Sequence, residues 1–267
     1  MKSSIVVTAL FVYPIKSLGG VSVSKTILTD RGFALDRRWL LIDDKGVFLT
    51  QRAYPAMVHF EVKILENGLE IYHKLEKKTC YVPFEIDQNK SKINVMVWDD
   101  VFEAIEVSEE ISNWFTGFFD QKVRLVYQPH DSERKVDSRY AKTSNDLVSA
   151  ADGYPVLMIS EASLGTLNDK LEEAVSMDRF RPNMVVSGLE AFQEDEIAEV
   201  AVGSASLIGV KISARCILIN INGNGEVGKE PLKTLSTFRK RDNKVYFGQN
   251  MLVKTQGQIA VGDSLFF

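Results

Sequence analysis

Cysteine is nearly absent from this chain of 267 residues: only Cys80 and Cys216 occur, with no C-x-x-C pair. That excludes a disulfide framework and a four-thiolate zinc or iron–sulfur site built within one chain. Histidine is equally scarce, and His59, His73 and His130 are scattered without metal-ligand spacing, so no catalytic triad can be assembled from them. A basic excess is lacking too. Lys and Arg number 32 against 36 Asp and Glu, a formal net charge of -4, which argues against general nucleic-acid binding. Long apolar runs are missing: the stretch from Met1 to Leu10 is too short to span a bilayer, contains Ser3 and Thr8, and has no signal-peptide cleavage pattern. Cytoplasmic residence without a membrane segment is the expectation.

What is present fits an ordinary folded protein, since 45% hydrophobic and 25% charged residues exclude disordered and fibrous classes. The length suits one large domain or two modest ones, and two are favoured. The first half reads as strands joined by turns: Ile5 to Tyr13, Val21 to Leu28, Trp39 to Ile42, Val58 to Leu65, Leu69 to Tyr72, Lys92 to Val97 and Val101 to Val107. Asp44-Lys45-Gly46 and Asn67-Gly68 supply hairpin chemistry. Ser108 stands as an N-cap before Ile111, Trp114, Phe115 and Phe118, which share a helical face. From Gln128 to Gly153 the chain is polar and aperiodic, which places a domain boundary there, with units of 1–130 and 131–267.

The second half opens with a strand from Val156 to Ile159 and a helix capped by Ser160, with Leu164, Leu167 and Leu171 on one face. Short strands follow at Met184 to Ser187, Glu199 to Val202, Ser206 to Leu218, Lys244 to Phe247, Met251 to Thr255 and Ser264 to Phe267. The predicted class is α+β but predominantly β: two β-barrel-like domains with peripheral helices.

Candidate chemistry gathers around a few residues. Alternation places Ile212, Ala214, Cys216 and Leu218 on one strand face, where Cys216 reads as a small buried core thiol. Arg215 would favour a thiolate, but strict alternation points it to the opposite face, and only a strand end or bulge brings the two together. Ser160 opens a helix N-terminus that is either an ordinary cap or a phosphate seat. Lys16-Ser17-Leu18-Gly19-Gly20 has the ingredients of a phosphate cradle without the P-loop spacing. Asp36-Arg37-Arg38-Trp39, Gln51-Arg52 and Phe180-Arg181-Pro182-Asn183 add guanidinium groups suited to bidentate anion contacts, or simply to solvent.

Taken in order, Tyr13-Pro14-Ile15-Lys16-Ser17, Asp36-Arg37-Arg38-Trp39, Ser160-Glu161-Ala162-Ser163-Leu164, Phe180-Arg181-Pro182-Asn183, Arg215-Cys216, Glu230-Pro231-Leu232-Lys233-Thr234-Leu235 and Phe247-Gly248 resemble the MOSC family with its N-terminal β-barrel domain, as found in amidoxime-reducing enzymes. The resemblance spans nearly the whole chain. It implies a molybdenum cofactor, the metal bound to a pterin dithiolene, with Cys216 as the protein ligand to molybdenum. Soft sulfur ligands suit such a site. Lys16, Ser17, Arg37, Ser160, Arg181, Asn183 and Arg215 match the family's cofactor-binding positions, and Asn222 stands at a catalytic one. The implied reaction is two-electron reduction of small N-hydroxylated substrates such as amidoximes and hydroxylamines, with electrons from a separate ferredoxin, flavodoxin or cytochrome b5-like protein. Pyridoxal phosphate binding is a further expectation attached to the family.

The chain departs from the family's pattern after the cysteine. Relatives of the amidoxime-reducing type usually show Thr-Thr-x-Asp there, whereas this chain has Ile219-Asn220-Ile221-Asn222. Asn222 keeps hydrogen bonding and loses the carboxylate charge. Ala214 occupies a position where a small hydroxyl residue is often found. These departures keep open a second reading, a cofactor-binding carrier or sulfur-transfer module without reductase activity.

Overall fold

Residues 4–267 are described in a computed structural model of the chain, so Met1 to Ser3 of the first apolar stretch lie outside it. Strand outweighs helix, 41% to 16%, as the pattern of short β-branched runs requires. The largest sheet has nine strands. At its centre the long strands Ala205–Arg215 and Lys244–Thr255 pair antiparallel, flanked by Val156–Ser160, Met184–Ser187 and Val6–Val12 on one side and Glu199–Val202 and Leu265–Phe266 on the other. A bridge between Val6 and Ser264, with Val7 N–H donating to the Asp263 carbonyl at 2.9 Å, joins the first strand to the residues just ahead of the last and closes this sheet on itself. Closure leaves little free edge.

Inside it, Val7, Leu10, Met158, Met184, Val186, Leu207 and Met251 form a core in which none is more than 1% exposed. Burying side chains of this size contributes about 1.5–3 kcal/mol each before entropy is counted. A smaller four-stranded sheet comprises Trp39–Ile42, Arg124–Tyr127, Asp100–Glu106 and Lys92–Val97, and the bridges Ile42 to Phe48 and Val47 to Met96 draw its two ends together. Beside it lies a meander of Phe60–Ile64, Gly68–His73 and Lys78–Pro83. The helix Glu109–Thr116 covers that core with Ile111 and Phe115, and the Ser108 hydroxyl accepts from Ile111 N–H at 3.1 Å as the cap pattern required.

The pairing crosses the expected boundary at residue 130. The N-terminal strand Val6–Val12 belongs to the large sheet beside Met184–Ser187, and Lys25–Thr29 pairs with Gly257–Ala260 near the C-terminus. The polar linker is anchored rather than loose. Arg134 is 3% exposed and donates to the Ser149 carbonyl at 2.9 Å and to Asp100 at 2.8 Å. This fixes the segment around Ala150 and Asp152 against both sheets.

Two local departures from regular pairing matter for the site. Ala205–Arg215 carries a register shift between Ile212 and Ala214, and it ends one residue before Cys216, where the chain turns into a short 3-10 helix at Ile217–Asn220. The expected strand to Leu218 is therefore too long by three residues. Lys244–Thr255, expected as two strands, runs unbroken through Gly248, whose φ of +83° only glycine adopts without strain.

Candidate active site

The register shift and the strand end together bring Ser213, Ala214, Arg215 and Cys216 to one cleft of about 400 Å³. Lys16, Ser17, Arg37, Arg181 and Asn183 line it as well. Six basic side chains face it against one acidic side chain, Asp152, so it is built for an anion. Lys16 and Ser17 follow the strand Val6–Val12, and Lys16 N–H donates to the Trp39 carbonyl at 2.8 Å. Arg37 precedes Trp39–Ile42, while Arg181 ends the 3-10 helix Met177–Phe180. Ser17, Arg37 and Arg181 all have left-handed backbone, with φ of +70°, +48° and +55°. Such conformations cost about 1–3 kcal/mol each in a non-glycine residue and persist where the surrounding structure holds them. Here all three side chains are turned into the same cleft.

Each cation has a defined mooring. Arg37 donates from Nη1 to both oxygens of Asp36, at 2.8 and 2.7 Å, and Asp36 also accepts from Tyr13 N–H at 2.9 Å. Burial lifts the Asp36 carboxyl above its usual value, with the Arg37 charge pulling the other way. The Tyr13 ring lies between two guanidinium groups, 4.2 Å from Arg37 and 4.3 Å from Arg181, and its hydroxyl donates to the Pro182 carbonyl at 3.0 Å. Gly20 leaves room for that ring: a Cβ there would sit 2.4 Å from it. Asn183 donates to the Phe11 carbonyl at 3.3 Å and accepts from Leu157 N–H at 3.2 Å, which ties the first strand to the second half.

Lys16 is 5% exposed and donates to Asp152 at 2.6 Å and to the Ala150 carbonyl at 2.8 Å. Burial pushes its ammonium down to about 8, while Asp152 works to raise it and the Arg134 and Arg37 charges lower it further. Desolvation would raise the Asp152 carboxyl, but the charges of Lys16, Arg52 and Arg37 hold it well below the usual range. Arg215 donates to the Phe180 carbonyl at 2.7 Å and to the Ser213 hydroxyl at 3.1 Å, and burial lowers its guanidinium to about 10 against the Cys216 and Asp152 charges. Neither its Nε–H nor that of Arg52, both buried, has an acceptor among the described residues. An orphaned buried donor costs about 1–3 kcal/mol, so both aim at something these side chains do not provide.

Cys216 is half-buried, with extended backbone, and its thiol has no hydrogen-bond partner among the described residues. It is not a mid-strand core residue: the first face-alternation reading fails because the strand stops at Arg215.

Two of the candidate residues are not brought here. Ser160 is fully buried as the cap of the helix Glu161–Asn168, its hydroxyl accepting from Ser163 N–H at 3.1 Å and lying 2.8 Å from the Ser163 hydroxyl. Its own N–H donates to the buried Glu194 at 3.2 Å, so no orphan donor faces the cleft. Asn222 sits in the turn after the 3-10 helix, donating to Glu226 at 2.7 Å and accepting from the backbone of Asn224 and Glu226 at 3.0 and 2.9 Å. Asn220, its neighbour in the departing motif, is 5% exposed and accepts from Leu232 N–H at 3.0 Å, fastening the loop to the helix Leu232–Arg239.

Sequence reasoning missed Asp152, Trp98 and Lys211, which also line the cleft. Asp152 lies in the aperiodic linker, where no pattern singles out one carboxylate, and the other two stand at a turn and on a bulged strand.

The sequence comparisons agree with this layout. Residues 4–122 match the MOSC N-terminal beta barrel domain and residues 145–266 match the MOSC domain. The chain belongs to the MOSC family. Among curated relatives, this MOSC chain is 32% identical to mitochondrial amidoxime-reducing component 1 of Xenopus laevis, covering 98% of the chain and 81% of that protein. It is likewise 32% identical to the component 1 of Homo sapiens, over 97% and 82%, and 31% identical to the component 2 of Rattus norvegicus, over 97% and 82%. A solved structure of the YUAD protein from Bacillus subtilis aligns with a TM-score of 0.43 at 9% identity, covering 98% of this chain and 94% of that one. Both matched segments line the cleft: Lys16, Ser17, Arg37 and Arg52 come from the first, and Arg181, Asn183, Arg215 and Cys216 from the second. No helix among the described residues is long and apolar enough to cross a membrane.

Proposed function

We propose that this MOSC protein binds a molybdenum cofactor in the cleft, with Cys216 as the protein ligand to the metal, and reduces small N-hydroxylated compounds such as amidoximes and hydroxylamines. The observation that carries the proposal is the half-buried, unpartnered thiol of Cys216 at an open strand end, beside guanidinium groups from both matched segments and the orphaned Nε–H groups of Arg215 and Arg52. These donors fit the group: a thiolate suits molybdenum, and a pterin with its phosphate offers the acceptors that the buried cations lack. The names of the relatives, amidoxime-reducing components, support the substrate class.

On this reading Arg37, Arg181 and Arg215 hold the anionic and polar edges of the cofactor, with Asn183 and Ser17 beside them. When bound, the cofactor would supply the two electrons for cleaving the N–O bond of an N-hydroxylated substrate, whose oxygen leaves as water after taking up protons. The chain's part is to bind, to orient and to hold protons. Lys16 carries a proton at Nζ at neutral pH, fixed between Asp152 and the Ala150 carbonyl. Leu157, Phe180, Leu218 and Ile219 give the cleft an apolar lining that limits water near the thiol. Ser160 and Asn222 drop out of the assignment because they face elsewhere. Electrons come from a separate ferredoxin, flavodoxin or cytochrome b5-like protein, and pyridoxal phosphate forms no part of the proposal.

The test is reduction of benzamidoxime by cofactor-loaded protein with an artificial reductant, followed as benzamidine. Loaded protein that forms no benzamidine supports the carrier or sulfur-transfer role instead. Protein that yields no fluorescent oxidised pterin after acid release, when made in a cofactor-competent host, overturns both.

A further inference from the structure

Of the basic side chains lining the cleft, Lys211 is moored differently from the rest. Lys16 and Arg52 reach Asp152, Arg37 reaches Asp36, and Arg181 and Arg215 donate to backbone carbonyls. The Lys211 ammonium has no carboxylate or carbonyl acceptor among the described residues. It lies over the ring of Tyr140 at 4.0 Å and near that of Tyr154 at 5.9 Å. Asp137, whose charge it feels, is taken up by Arg139, which donates from Nε to both carboxylate oxygens at 3.0 Å. Two aromatic faces and the Tyr140 hydroxyl, which Lys211 draws below its usual value, thus hold this cation in place, and no carboxylate neutralises it. An ammonium so held is an anion seat with no anion of the protein's own.

Its position relative to Cys216 sets the kind of molecule that can use it. Lys211 lies on the bulged strand that ends just before Cys216, five residues upstream of it and at most roughly 18 Å away along the chain, and both residues line the cleft. Tyr154 and Trp98, the latter 38% exposed and stacked under Arg52 at 4.3 Å, line the same space. Aromatic walls of this kind suit a planar ring.

We infer that Lys211, set against Tyr154 and Tyr140, forms a substrate subsite for the carboxylate of a planar N-hydroxylated compound whose reacting nitrogen sits at the Cys216 end of the cleft. This names the substrate class within the reductase reading and rests on it. The predicted preference is for an anionic over a neutral aromatic amidoxime, by about fivefold in kcat/KM, the size of one partly exposed ion pair. Cofactor-loaded protein is assayed with 4-carboxybenzamidoxime and with benzamidoxime, and each compound's reduced amidine is titrated against the same protein by calorimetry as a binding measurement independent of turnover.

Wild type should favour the carboxylate compound in both assays. In Lys211→Met the preference should fall to unity, and in Lys211→Arg it should return. Thermal melting of both variants guards against loss of the fold. Equal treatment of the two compounds by wild type, or a preference unchanged in Lys211→Met, overturns the subsite. If neither compound is reduced, the reductase reading fails, while the calorimetric comparison still decides whether Lys211 recognises the carboxylate.

Discussion

Replacing Asp36 with alanine tests the scaffold of the cleft most sharply. Asp36 is 1% exposed and the Arg37 side chain 13%, so both members of the pair are largely removed from water. The change deletes two contacts to Arg37 Nη1, at 2.8 and 2.7 Å, and the acceptor for Tyr13 N–H at 2.9 Å. Removing one partner of a buried pair costs about 3–5 kcal/mol, chiefly because the other charge stays behind unpaired. Asp36→Asn keeps an acceptor for Tyr13 N–H and should lose about 2 kcal/mol. Urea unfolding at neutral pH measures both, and thermal midpoints should drop by about 10 °C for the alanine variant. The sign with pH is also fixed. Because burial raises the Asp36 carboxyl, the folded chain takes up its proton before the unfolded chain does, and the stability linked to this group grows as pH falls. The gap between wild type and Asp36→Ala should therefore be at least as large at about pH 4 as at neutrality. A loss under about 1 kcal/mol, or a gap that closes in acid, refutes the claim that this carboxylate anchors Arg37.

Three further outcomes follow from the same geometry. Lys16, pushed down to about 8, sheds its proton in the folded chain while the unfolded chain keeps its own up to the ordinary lysine value of 10.5. Stability measured by denaturation should thus rise with pH across that window, as phosphate affinity of the cleft, read by calorimetry, falls. Ser160→Ala should cost about 1–2 kcal/mol in urea unfolding, as the loss of a buried cap, and leave molybdenum per chain unchanged in metal analysis. Asn222→Ala should shift stability by no more than about 0.5 kcal/mol, since its bonds stay within an exposed turn, and should leave benzamidoxime reduction near wild type.

Much of the fold was legible because it is local. Trp39–Ile42, Lys92–Val97, Met184–Ser187 and Glu199–Val202 stand where their β-branched and apolar runs placed them. Lys78–Pro83 escaped because it buries only Val82, and Gly257–Ala260 because it is held by pairing with Lys25–Thr29, more than two hundred residues upstream. The first strand looked like part of the N-terminal unit, yet its partner Met184–Ser187 lies in the second half, a choice that sequence order does not encode.

The candidate site divides along the same line. Lys16, Arg37, Arg181 and Cys216 could be picked out through family resemblance, whereas alternation alone put Cys216 in the core. What alternation could not register is the pair of irregularities, the shift near Ser213 and the stop at Arg215, that turn Arg215 and Cys216 to one side. Asp152 was invisible because its role arises from Arg134 pinning an otherwise featureless linker. Ser160 was over-read. A cap at a strand-to-helix junction can seat a phosphate, but here Glu194 and Ser163 already take its hydrogen bonds.

Cys216 is the proposed metal ligand, and X-ray absorption at the molybdenum edge addresses it directly. Cofactor-loaded wild type should show three sulfur neighbours, two from the dithiolene and one from the thiolate, and Cys216→Ala should either lose the metal or show only two. An unchanged sulfur count with unchanged metal content in Cys216→Ala would contradict the assignment.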